Sequence, residues 1–279
     1  AFFAGLFGLV YFRMDRSQTS IQNRNGVLFF TAMNQAFGST IGTADIIPRQ
    51  LLIVSRERAS GMYGVGAYYF STWVVTLPLE FFPQLLLASI QYFLMGLRDG
   101  FEYYATFAGI LVLESQCAIA MGMLISALIS NVEAAPKVAP AVVILFLMFS
   151  GFFLNDESVP TWLSWLKYIS FIRYAFQALA VNEFSGAQFD CEAAEANATE
   201  PVICLDGDDW LRSLNFDDVS IGTNVAIMIA LIAAFNLAAY YSVLVLRKPS
   251  FVKMAPPKGS STTASAPVVV ELHGISSKA

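Results

Sequence analysis

The sequence predicts an all-α, multi-pass membrane protein, and three observations carry that prediction. Of 279 residues, 56% are hydrophobic and only 13% are charged, where a soluble globular chain carries roughly a quarter charged residues. The apolar residues are gathered in blocks, and four or five blocks reach the length of about 20 residues that a helix needs to cross a bilayer. The remaining charges are divided by sign between the connecting segments.

The first block, 1–12, is too short for a complete span. It has no initiator Met and no basic region before it, which argues against a signal peptide. It reads as a transmembrane helix whose first turns are missing, so the chain is expected to be an N-terminally truncated fragment. The blocks 26–47, 61–97, 103–129, 138–154 and 221–246 are nearly free of charge and supply the other spans, six in all. Pro78 and Pro83 are expected to kink or break the third. Gly38 and Gly42 have the small-xxx-small spacing that lets helices approach closely.

The segment 155–220 is strongly acidic, whereas 48–60 carries Arg49, Arg56 and Arg58 against Glu57, and the tail carries Arg247, Lys248, Lys253 and Lys258. Basic segments beside helix ends tend to stay cytoplasmic. This places 48–60 and the C-terminus inside and 155–220 outside. Arg13, Arg16 and Arg24 fit badly, because the same topology assigns them to an outer loop. Within the acidic segment, Trp162, Trp165, Tyr168, Phe171 and Tyr174 recur at three-residue spacing. That periodicity predicts a helix or helix pair over 161–182, dipping back from the outside, with a sixth complete span as the alternative. The tail 247–279, rich in Pro, Ser, Thr and Ala, is expected to be disordered.

Cys117 lies in an apolar block and reads as a small core residue. Cys191 and Cys204 lie in the acidic loop, where an oxidising exterior would let them pair, worth roughly 2–4 kcal/mol. Between them Asn197-Ala198-Thr199 is an N-glycosylation acceptor. These features favour a secretory-route membrane, most simply the plasma membrane.

Chemistry is largely absent. There is no GxxxxGK[ST] phosphate loop, and the single histidine, His273, lies in the tail. No residues point to a catalytic nucleophile, a metal site or a nucleic-acid partner. Glu80 and Glu114 stand inside apolar blocks, where a carboxylate is costly and often functional. They leave open a proton- or ion-coupled secondary carrier. The other reading of them is that they face a hydrated cleft or a neighbouring helix.

Several motifs resemble a known family. Ile21-Gln22-Asn23-Arg24-Asn25-Gly26-Val27-Leu28-Phe29-Phe30 precedes Asn34-Gln35-Ala36-Phe37. Arg56-Glu57-Arg58-Ala59-Ser60-Gly61-Met62-Tyr63 leads into the third span, which ends in Tyr92-Phe93-Leu94-Met95-Gly96-Leu97. Phe149-Ser150-Gly151-Phe152-Phe153-Leu154-Asn155 is followed by Trp162-Leu163-Ser164-Trp165-Leu166-Lys167-Tyr168, Arg173-Tyr174 and Asn182-Glu183-Phe184. Their order and spacing, along the chain to about Arg247, resemble the G subfamily of ABC transporters, half-transporters of the White and breast cancer resistance protein type.

The resemblance implies a type II ABC exporter-like transmembrane domain over 1–246, paired with a second half-transporter and driven by an upstream nucleotide-binding domain that holds ATP and Mg. It implies export of a lipid, sterol or hydrophobic small molecule. Asn34 and Phe37 match substrate-contacting positions, Phe152 and Phe153 match a plug, and Arg56, Glu57 and Arg58 match the segment coupled to ATP. Cys191 and Cys204 match an intrachain disulfide, and there is no third loop cysteine for a bridge between subunits. The plug residues are Phe where the multidrug member has Leu, and Pro48-Arg49, Gly64, Lys137 and Pro140 also depart from the pattern. Besides the carrier, a non-transporting fragment is the remaining alternative.

Overall fold

The computed structural model describes residues 8–153, 162–190, 205–216 and 219–246. Among them the regular structure is helical, with one isolated bridge between Ser17 and Asp190. The helices are α1 (Gln18–Thr43), α2 (Ile46–Ala59), α3 (Val65–Met95), α4 (Phe101–Leu128), α5 (Ala135–Met148), α6 (Trp165–Ile169), α7 (Phe171–Phe184), α8 (Gly207–Ser213) and α9 (Ile221–Leu246).

Three of them, α3, α4 and α9, are long and apolar enough to cross a membrane. Their environments differ sharply. In α4 the apolar window is 72% buried, against 17% in α3 and in α9. Helix α4 is therefore the axis of the bundle, apolar all round because it is covered all round. Phe70, Leu79, Phe82, Leu86 and Phe93 of α3 and Leu237 and Tyr241 of α9 stay exposed, as suits helices facing lipid. Helix α1 has 26 residues and opens with polar turns. Helix α5 has 14 residues, about 21 Å of rise against about 30 Å of hydrocarbon.

Contacts fix the directions. Thr40 Oγ1 of α1 donates to the Ala118 carbonyl of α4 at 3.3 Å, and the amide just beyond α1, Ile47 N–H, donates to Ser126 Oγ. The two helices therefore run parallel. Ser89 and Tyr104 are hydrogen-bonded at 2.7 Å and the Tyr92 and Phe107 rings lie 5.2 Å apart, so the last turns of α3 pack on the first turns of α4. Tyr69 OH donates to Asn236 Oδ1 at 2.9 Å, and a Cβ on Gly66, one turn earlier in α3, would lie 3.8 Å from Tyr240 OH, one turn later in α9, which sets α9 antiparallel to α3. A glycine governs one junction: Gly96 ends α3 in the left-handed region (φ 63°), and a Cβ there would come within 3.2 Å of the Arg13 backbone.

Several expectations need correction. Helix α3 continues through Pro78 and Pro83 unbroken. Arg24 lies within α1, buried, and not in a loop. Its charge is spent inside the protein, which removes one of the three arginines that contradicted the charge pattern. Within this chain Gly38 and Gly42 approach no other described helix, since a Cβ on either would meet nothing within 4 Å, which leaves that face of α1 open. The region read as a helix or helix pair is a pair, α6 and α7, separated by Ser170. Residues 1–7, the loop 191–204 with Cys191, Cys204 and Asn197, and the tail 247–279 lie outside the described residues.

Candidate functional site

The site is built along α1. Phe29, 1% exposed, stacks on Phe152 with ring centroids 4.1 Å apart and planes at 9°. Phe153 meets both edge-on, at 5.3 Å and 5.1 Å, and Phe176 of α7 closes the cluster against Phe29 at 5.5 Å. Such ring pairs contribute about 0.5–1.5 kcal/mol each beyond area burial. The turn that aims Phe152 follows directly from the sequence. Gly151 adopts φ 89°, and the Phe152 amide donates to Ser150 Oγ at 3.4 Å. The two candidate plug residues thus differ: Phe152 is partly buried against the core, whereas Phe153 is 62% exposed.

Eight residues along α1 from Phe29, about 12 Å of rise, Phe37 lies half-buried with Asn34 one turn before it. Phe30, Asn34, Phe37 and Ile41 follow helical spacing and form the least covered stripe of α1, next to exposed Gly38 and Gly42. The structure does not bring Phe152 and Phe153 onto Phe37. It sets a packed aromatic cluster and a partly open aromatic stripe at two heights on one helix.

Beyond the cluster, a polar hub ties that end of the bundle together. The Arg24 guanidinium is bonded to the Glu183 carboxylate, to the Met14 and Gly96 carbonyls at 2.7 Å and 3.1 Å, and to Ser20 Oγ at 3.1 Å. Glu183 also accepts the Arg98 amide at 3.1 Å. Arg98 in turn donates to the Ser185 carbonyl at 2.5 Å and lies 4.0 Å from the centre of the Tyr103 ring. Sequence motifs had flagged both Arg24 and Glu183, but nothing in them showed that the two meet.

At the opposite end, Arg56, Glu57 and Arg58 occupy the last turn of α2. Arg56 is exposed, and Glu57 accepts a hydrogen bond from Tyr63 OH at 2.5 Å. Desolvation and that bond push the Tyr63 hydroxyl up to about 12. Tyr68 OH donates to Gln50 Oε1 at 2.9 Å, linking α2 to α3 directly.

The two intrabundle carboxylates are not a pair. Glu80 is half-buried and accepts from Gln84 Nε2 at 3.2 Å. Glu114 is fully buried on α4 and neither of its oxygens has a hydrogen-bond partner among the described residues. Cys117 is buried and free, its thiol directed at the Met228 carbonyl at 3.4 Å, as a core residue should be. Among the described residues there is no cluster of three or more His, Cys, Asp or Glu that could hold a metal ion.

The family described as ABC-2 type transporter matches residues 1–184. The chain belongs to that family. As an ABC-2 type membrane domain it is an integral membrane protein, and its relatives carry the names of G-family transporters. ABC transporter G family member 7 of Arabidopsis thaliana is 34% identical over 251 residues, covering 90% of this chain and 34% of that protein. Protein white of Drosophila melanogaster is 30% identical over 236 residues, covering 84% of this chain and 34% of that protein. The broad substrate specificity ATP-binding cassette transporter ABCG2 of Rattus norvegicus is 31% identical over 254 residues, covering 88% and 38%. The chain spans about a third of the length of the curated relatives it matches.

Proposed function

We propose that this ABC-2 domain is the membrane-spanning part of an ATP-driven exporter that works with a second half-transporter and moves lipids, sterols or other hydrophobic small molecules. One observation carries the reading: the chain aligns along 84–90% of its length with proteins named as ABC transporters of the G type or as white. ATP and Mg would be held by an upstream nucleotide-binding domain, so this domain itself is no enzyme.

In this reading Asn34 and Phe37 contact substrate at the axis between two copies, where a half-buried ring on an uncovered stripe can stack on a flat apolar molecule. Phe152 and Phe153 form the plug between that cavity and the exit. Closure of the ATP-binding domains moves Arg56, Glu57 and Arg58 at the end of α2. The α2 end and the C-terminus face the cytoplasm, and the Arg24 end faces outward. Cys191 and Cys204 form an intrachain disulfide, Asn197 carries a glycan, and the plasma membrane is the simplest location. The carrier reading has less support, since Glu80 bonds Gln84 whereas Glu114 has no hydrogen-bond partner among the described residues, so the two belong to separate surroundings.

Sequencing the transcript upstream of Ala1 tests the proposal. An in-frame GxxxxGK[ST] loop ahead of the first span supports an ATP-powered half-transporter. A start codon immediately before Ala1 removes the self-contained pump.

A further inference from the structure

Helix α2 begins in an unusual way. Its N-cap residue, Asp45, makes no side-chain capping bond, because the Asp45 carboxylate is turned to Arg49 at 2.5 Å. The first turn of a helix leaves backbone N–H groups without intrahelical acceptors. In α2 the third residue is Pro48, which has no N–H, and the Arg49 amide already bonds the Asp45 carbonyl at 3.1 Å. The Ile47 amide needs an acceptor, and Ile47 is only 2% exposed. It finds one on another helix: Ser126 Oγ of α4, 2.9 Å away and itself 0% exposed. The capping role of an N-cap side chain is thus supplied in trans by the central helix.

This bond is the end of a row. On α4, Ala118, Gly122 and Ser126 follow i, i+4, i+8 and lie on one ridge. Opposite them stand Thr40, Thr43 and Ile47, which continue across the α1–α2 junction. Thr40 Oγ1 donates to the Ala118 carbonyl. A Cβ on Gly122 would fall 2.0 Å from Thr43 Oγ1 and 2.6 Å from the Thr40 carbonyl, so the backbones touch there. Phe37 is one turn beyond Thr40. The start of α2 is therefore attached, step by step, to the helix that carries the candidate substrate stripe.

We infer that Ser126 is a positioning residue for energy coupling: it fixes the first turn of α2 to the α4 ridge, so that movement of α2 reaches α1 and Phe37. This inference rests on the proposed ATP-driven export. Ser126 touches neither substrate nor nucleotide and acts only through the Ile47 amide.

The test uses the chain joined to its ATP-binding domain in proteoliposomes, comparing Ser126→Thr with Ser126→Val, two side chains of equal shape of which only Thr keeps an acceptor. Ser126→Ala is the third variant. The readouts are a fluorescent phospholipid or sterol transported per ATP hydrolysed, and hydrogen exchange at the Ile47 amide. The expected result is a ratio in Ser126→Thr close to that of the unaltered protein. In Ser126→Val and Ser126→Ala the ratio falls about fivefold or more with ATP hydrolysis retained, and the Ile47 amide exchanges about tenfold faster, the scale of one lost buried hydrogen bond. Equal ratios in Ser126→Thr and Ser126→Val overturn the inference, as does unchanged exchange at Ile47 in Ser126→Ala. Absence of ATP-dependent transport by the unaltered protein overturns the proposed function instead, and the exchange measurement still decides whether the bond to Ser126 holds α2.

Discussion

Arg24 and Glu183, 159 residues apart in sequence, form an ion pair in which each side chain is only 4% exposed. The pair joins α1 to the end of α7, and the remaining guanidinium protons hold the backbone before α1 and the turn after α3. Taking two charges out of water is costly, so such a pair persists only when its other donors and acceptors are also satisfied, as they are here.

Removing one member leaves the other buried and unpaired. Glu183→Ala or Arg24→Ala is therefore expected to cost about 3–5 kcal/mol, seen as a large drop in the thermal unfolding temperature of the detergent-solubilised protein. Arg24→Ala with Glu183→Ala together should cost less than the sum of the two single changes. A sum that is simply additive would show that the pair does not act as a unit.

Glu114 makes the opposite case. A buried polar group without a hydrogen bond destabilises by about 1–3 kcal/mol, so Glu114→Leu is expected to raise thermal stability while leaving ATP-driven transport in place. Loss of transport in a well-folded Glu114→Leu protein would favour the ion-coupled carrier.

Gly122 has no room for a side chain. Gly122→Ala places a methyl against the Thr40 carbonyl and Thr43 Oγ1, and overpacking of this kind costs about 1–3 kcal/mol. Adding Thr43→Ala should recover only part of the loss, because the Thr40 carbonyl remains. The comparison is read by thermal unfolding of the two variants.

The aromatic cluster and the aromatic stripe should separate in their effects. Phe29→Ala removes a fully packed ring and is expected to destabilise by about 3–5 kcal/mol. Phe37→Ala removes a half-buried ring and is expected to change stability little while reducing export. Parallel measurements of unfolding and transport on both variants check the distinction.

Much of this was legible in the sequence because it is written in local patterns. Long apolar runs nearly free of charge marked α3, α4 and α9, and the three-residue spacing of Trp162, Trp165 and Tyr168 marked the α6–α7 pair. Phe152 and Phe153 were marked by motif order, but their unequal burial depends on Phe29, far away in the chain. Arg24 was misplaced because a charge in a polar stretch looks the same whether it meets water or Glu183. Pro78 and Pro83 were expected to kink or break α3; the helix is not broken at either. The trans bond from Ile47 to Ser126 left no trace, since serine in an apolar helix is ordinary by composition.

The most direct test of the central claim is uptake into inside-out membrane vesicles containing the chain with its ATP-binding domain, followed with a fluorescent phospholipid or sterol. The account predicts accumulation that requires hydrolysable ATP, survives collapse of the proton gradient and falls in Phe37→Ala. Accumulation that persists without ATP and disappears with the proton gradient would contradict it.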